Sequence, residues 1–237
     1  MSATIALHFR DSVTFLEYVL HNHAAPSTVV ICSSREAFLE DVLLSTQEYA
    51  DQAMVERIGE VDQQPLHPLM VPTIHLLATS RTIDLAFTPT LPHLRAYLAS
   101  RTLDIGEDFE PSVGRMPGTQ APTLAVFGFT DLHRPTSEFS AQGLSRTLST
   151  AVEVSLALRR KLIIADVPPT INDQDPMALN EHENDGILDP WMEQVPILNN
   201  SIRSGNDQRI WAGRTIPIAR VIGRWCRIVR PDEESSR

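Results

Sequence analysis

Apolar positions along the chain fall into short blocks whose spacing switches between helical and extended. Residues 1–10 lead into Asp11–Asn22, where Phe15, Leu16, Val19 and Leu20 recur at helical spacing behind an Asp or Ser cap; a short helix is predicted. Thr28–Cys32 is a β-branched run. The Ser33-Ser34-Arg35-Glu36 after it has capping-box spacing before Phe38, Leu39, Val42 and Leu43, so the block reads as strand, turn, helix. Gln63–Ser80 carries another helical pattern interrupted by Pro68 and Pro72, Thr82–Phe87 reads as a strand, and Pro92 suits the first turn of a helix reaching about Ser100. Residues 102–121 are polar with Gly and Pro and read as loop.

Leu124–Phe129 is apolar throughout, as a central strand covered on both faces should be. Ser137–Arg160 is the longest helical pattern, with Leu144, Leu148, Ala151, Val152 and Leu156 on one stripe, and Lys161–Val167 is a second buried-type strand. Strands alternating with helices imply right-handed parallel crossovers. The expected fold class is therefore α/β: a mostly parallel central sheet flanked by helices. Residues 208–230 return to β-rich composition and are expected to form an antiparallel strand pair closing the sheet edge. Residues 168–206 have few periodic signals and many acids, too long for an ordinary connection.

Composition narrows this picture. With 237 residues, 42% hydrophobic and 21% charged, the default is one compact domain over residues 1–237. No apolar run reaches the ~18 residues of a membrane-spanning helix, and ten Gly and seventeen Pro show no short period, which excludes collagen. Met1–Arg10 has neither a basic n-region nor a long apolar h-region, and Cys32 and Cys226 make no disulfide framework, so an intracellular, reduced protein is expected.

Charge is uneven. The net charge is −10, yet residues 199–230 hold seven arginines (203, 209, 214, 220, 224, 227 and 230) against the single acid Asp207. Residues 170–198 hold seven acids and no base. The global sign argues against a general polyanion binder, while the basic tail leaves a local anionic site open.

Chemistry-bearing motifs are sparse. A nucleotide-binding α/β domain would need Gly for close backbone approach to phosphate and Lys for its charge, but the turn Cys32-Ser33-Ser34-Arg35 has no glycine. The only lysine is Lys161, before a late strand, so there is no phosphate-loop lysine. Gly128 and Phe129 stand where the Leu124–Phe129 strand would end in a magnesium-holding acid, with Asp131 three residues late. Asp166 ends its strand where ligands of open α/β sheets gather. His21 and His23 form an alternating pair without a nearby Cys or carboxylate cluster, and no GxSxG, HExxH or CxxC is present. Cys32, at a predicted helix N-terminus, is either a lowered-pKa thiol or a buried small hydrophobe. The C-terminal arginines suit phosphate contacts or pairing with the acidic stretch or an acidic partner. Trp191, Trp211 and Trp225 are stacking, core or interface candidates.

The stretch Leu124–Val167, with the run Gln142-Gly143-Leu144-Ser145-Arg146 opening its helix, resembles the RecA-type core of eukaryotic recombinase paralogues. Residues 28–49 then fall at that family's phosphate loop, and the order of the other blocks follows over most of the chain. Carried over by position, the resemblance places Ser33, Ser34 and Arg35 in the phosphate loop and Gly128 at the magnesium aspartate. Both halves of the nucleotide site are lost, which implies a pseudo-ATPase with no catalytic residue and no cofactor.

The resemblance implies a non-catalytic subunit of the Shu-complex type. Such a subunit would assist recombinase filaments in homologous recombination and DNA repair, paired with another RecA-like subunit and located in the nucleus. The alternative is a RecA-like accessory subunit of the Elongator complex, acting on tRNA in the cytoplasm. Single-stranded or forked DNA would meet Arg134, Arg146, Arg203, Arg209, Arg214, Arg220, Arg224 and Arg227, with the family's first DNA loop at His133–Arg146 and its second at about Pro168–Arg209. Most of that second loop is acidic here, so a heterodimer partner is expected to supply most of the basic surface.

Overall fold

The computed structural model describes residues 4–22, 24–56, 67–103, 122–168, 189–198 and 214–229. Six strands form one sheet: β1 (Thr4–His8), β2 (Ala24–Ile31), β3 (Ile83–Phe87), β4 (Pro122–Phe127), β5 (Lys161–Asp166) and β8 (Arg227–Ile228). Their order is β3-β2-β4-β5-β1-β8, and every pairing in the sheet is parallel. The helices are α1 (Ser12–Asn22), α2 (Arg35–Glu56), α3 (Ile74–Ser80), α4 (Leu91–Leu103), α5 (Phe129–His133), α6 (Ala141–Ala157) and α7 (Ile218–Ile222). The α/β class read from the alternation of patterns is the class observed.

The crossovers explain the layers. The chain leaves β1 and β2 toward the β3 edge but leaves β3, β4 and β5 toward the β8 edge. Right-handed connections running in opposite directions put their helices on opposite faces. Accordingly α1 and the start of α2 cover one face, where Phe15, Tyr18, Val19 and Phe38 meet Ile5, Leu7, Ile31 and Phe127. On the other face α4, α6 and α7 lay Leu94, Leu144, Leu148 and Ile222 on Val30, Val126 and Ile164. Each fully buried Leu of this kind contributes about 1.5–3 kcal/mol relative to exposure. The period of two along β4, Leu124 and Val126 to one face and Ala125 and Phe127 to the other, is what an all-apolar central strand needs.

Three expectations are corrected. Residues 1–10 are not a mere lead-in: Thr4–His8 is β1, seated between β5 and β8. The expected C-terminal antiparallel strand pair is present, but among the described residues it neither lies wholly within 208–230 nor closes the sheet edge. β7 (Thr215–Pro217) pairs antiparallel with β6 (Gln194–Pro196) in a separate two-stranded sheet, Ile218–Ile222 is helical, and the edge strand β8 runs parallel to β1. The long helix opens at Ala141 rather than Ser137, because Ser140 is extended and its Oγ accepts from Gly143 N at 3.1 Å. The 104–121 part of the expected loop and residues 169–188 and 199–206 of the acidic stretch lie outside the described residues.

Candidate functional site

Residues singled out for nucleotide chemistry gather at the carboxyl ends of the strands. Backbone hydrogen bonds prolong the ladder there, from Cys32 N to Phe127 O, Gly128 N to Ala165 O, and Phe9 N to Asp166 O, at 2.8–2.9 Å. Chain directions diverge between β2 and β4, the position where open α/β sheets bind ligands. The Ser33-Ser34-Arg35 turn and Gly128 thus stand on the two sides of that point. Because β1 precedes β2, the first strand-to-helix turn of the chain is Phe9-Arg10-Asp11, not Ser33-Ser34-Arg35. It too lacks glycine and lysine.

Several polar groups at this end already have internal tasks, whereas His8 Nδ1 and Ser12 Oγ are buried without a hydrogen-bond partner and exposed Arg35 has no carboxylate partner among the described residues. Asp11 Oδ1 accepts from Thr14 N at 2.7 Å, so the start of α1 is capped by the chain's own carboxylate. Ser34 Oγ accepts from Ala37 N at 3.1 Å and caps α2. Gly128 sits at φ 76°, a left-handed conformation that suits glycine, and precedes α5 with no side chain to cap it. Asp166, 1% exposed, does that from the neighbouring strand: its carboxylate accepts from Thr130 N at 3.0 Å and Thr130 Oγ1 at 2.6 Å. Burial pushes its carboxyl up to about 8, against the pull of the Thr130 hydrogen bonds. Burial likewise raises the Cys32 thiol, so the helix start does not activate it. His21 Nδ1 lies 2.7 Å from Glu17 O, and His23 lies outside the described residues. Among the described residues no three His, Cys, Asp or Glu side chains cluster in a way that could hold a metal ion.

The arginines divide into two sets. Arg134 donates to Asp131 Oδ1 at 2.9 Å and to Glu193 Oε2 at 2.6 Å, with its guanidinium 5.9 Å from the Phe139 ring. Arg146 donates to both oxygens of Glu138 at 3.1 Å, a carboxylate shared with Arg95 at 2.8 Å. By contrast Arg214, Arg220, Arg224 and Arg227 are exposed, and none has a carboxylate within ion-pair distance among the described residues. Arg203 and Arg209 lie outside the described residues.

Three of the unpaired arginines come together. Arg214, Arg220 and Arg224 line a groove of about 680 Å³ between the first turns of α6, the β6–β7 pair and α7. Ile197, Leu198, Ile216 and Val221 supply its aliphatic part. Trp191, fully buried under this wall, and Gln142 N, donating to Ile197 O at 3.1 Å, tie β6 to the helices. Sequence reasoning singled out the arginines but missed Ile197, Leu198 and the α6 wall. The one available signal was an aliphatic pair standing between the acidic run and the basic tail.

A family model described as SPAC22G7.03-like matches residues 5–184, about three quarters of the chain. The chain belongs to this family. The SPAC22G7.03-like span takes in the sheet from Ile5 in β1 through β5, and with it the α6 wall of the groove. It stops inside the acidic stretch, before β6, β7 and α7, so the arginine side of the groove lies beyond the matched span. A search of curated proteins finds no match.

Proposed function

We propose that this chain is a non-catalytic RecA-like subunit of the Shu-complex type, assisting recombinase filament assembly in homologous recombination and DNA repair in the nucleus. One observation carries the reading. At the strand ends where a nucleotide would sit, Asp11, Ser34, Gly128 and Asp166 are all spent on capping or permitting the chain's own helices. The parallel sheet is compatible with a RecA-like core, and the protein then acts as an assembly partner of another RecA-like protein rather than as an ATPase.

The arginine geometry supports a division of labour. Arg134 and Arg146, expected on DNA, are held by carboxylates, so the second subunit supplies most of the DNA-facing charge. Affinity purification from the native cell, with identification of bound proteins, should recover a RecA-like paralogue and a recombinase. Recovery of a tRNA-modifying ring instead would overturn the reading. A nucleotide bound at 100 times its Kd stabilises a fold by about 2.7 kcal/mol. No shift in melting temperature with ATP and magnesium is expected, and a shift of that size would make the chain a nucleotide-binding protein.

A further inference from the structure

We infer that the groove between α6, the β6–β7 pair and α7 is a docking site for a short acidic and aliphatic peptide segment of a partner protein. The inference stands apart from the RecA-like reading, since it rests on the groove alone.

Charge comes first. Arg214, Arg220 and Arg224 line the groove with no carboxylate in ion-pair reach among the described residues, whereas Arg95, Arg134 and Arg146 are all paired. The opposite wall is the start of the 17-residue helix α6, which has no acid in its first turn, so its positive end adds to the same potential. Guanidinium groups take carboxylates in bidentate geometry, which suits Asp or Glu side chains.

Shape and hydrophobicity then separate a peptide from a nucleic acid. Among the described residues no aromatic ring lines the groove, so these offer bases no stacking platform, and stacking is what sequence-tolerant single-strand sites use. Ile197 and Leu198 line it instead while remaining 38% and 62% exposed, apolar surface that aliphatic side chains would cover. The volume lies in the range of about 300–1,000 Å³ typical of small-ligand pockets, enough for a few side chains. A long polyanion would run beyond the arginines over a chain of net charge −10, while a short peptide places its charges within about one Debye length, ~8 Å, of them. The residues joining Leu198 to Arg214 carry Arg203 and Arg209 against Asp207, the same sign as the groove, so charge does not favour them as its occupant.

The test is display of random 12-residue peptides, selected on the immobilised full chain and counter-selected on R214E/R220E/R224E. Peptides with two or more Asp or Glu among aliphatic residues should be enriched. The best of them should lose at least tenfold in affinity on R220E, weaken with salt, and lose severalfold on Leu198→Ser, a change that leaves charge intact. Oligo-dT of 20 nucleotides should bind at least tenfold more weakly. Should the triple variant fail to fold, R224E and Leu198→Ser singly serve as counter-selection. The proposal is overturned by no acidic enrichment, or by oligo-dT binding more tightly than any peptide with the same arginine dependence. It is also overturned if enrichment requires neutralising Asp173, Asp175, Glu181, Glu183 and Asp185, for then the chain's own acidic stretch is the occupant.

Discussion

The carboxyl ends of the strands and the α6–α7 groove are built from similar polar material with opposite outcomes. At the strand ends several groups are matched from within, Asp166 by Thr130, Asp11 by Thr14, and Arg134 by Asp131 and Glu193, while exposed Arg35 and the buried His8 Nδ1 and Ser12 Oγ have no partner among the described residues. In the groove three guanidiniums have no carboxylate partner among the described residues and stand beside exposed aliphatic side chains. A matched polar group stabilises the fold and has little free energy left to offer a ligand; an unmatched one on the surface costs the fold little and keeps its hydrogen-bonding capacity. On the proposed reading the first region serves mainly the fold and the second is available for recognition.

Substitutions in the two regions should separate them. The largest effect is expected from Trp191→Ala, which empties the fully buried ring position under the groove wall; chemical denaturation should show a loss of about 3–5 kcal/mol. Gly143→Ala would place a Cβ 2.1 Å from the Glu138 carbonyl oxygen and displace the backbone that positions the shared carboxylate. A loss of about 1–3 kcal/mol is expected in the same assay.

Titration gives the next effect. Asp166 has a folded pKa of about 8, above its unfolded value, so its contribution is complete in acid and is lost as pH rises through 8. His133, buried against Phe129 O and Thr147 Oγ1, is lowered to about 4, so its contribution is lost as pH falls below the usual histidine value toward 4. The two slopes oppose one another below about pH 6.5. Between about pH 6.5 and 8 His133 no longer opposes Asp166, whose contribution should make stability fall by up to about 1.4 kcal/mol per pH unit. Asp166→Asn should flatten that segment in urea midpoints taken across the range; an unchanged slope would mean that the buried acid is ionised.

The arginines provide the smallest effects and the most direct comparison. Arg134→Ala strands two carboxylates at a site where the arginine is 30% exposed, and should cost about 1–2 kcal/mol, between exposed and buried ion pairs. Arg220→Ala should stay within about 0.5 kcal/mol of the parent, as for surface positions without structural partners. Equal losses at the two positions, measured by melting, would remove the distinction on which the groove rests.

Local pattern alone is enough for the existence of the central strands, of α1 and α2, for the stripe of α6 and for the α/β class, because periodicity is a property of neighbouring residues. It runs the central strand on to Phe129, which instead opens α5, and sets the α2 cap box at Ser33, whereas Ser34 caps the helix. It also marked Gln142–Arg146 without supplying the reason: a helical glycine is needed at 143 because the Glu138 carbonyl backs onto it. β1 was missed because five residues with a small Ala at the centre carry little pattern of their own; its place is decided by pairing with Leu162–Asp166, more than 150 residues away. The same holds for the sites. The lack of lysine and glycine in the turns where phosphate chemistry would need them is visible residue by residue. Which arginines are spent follows from the fold, because Glu193 and Glu138 reach Arg134 and Arg95 from 59 and 43 residues away, and ion pairing depends on separation in space.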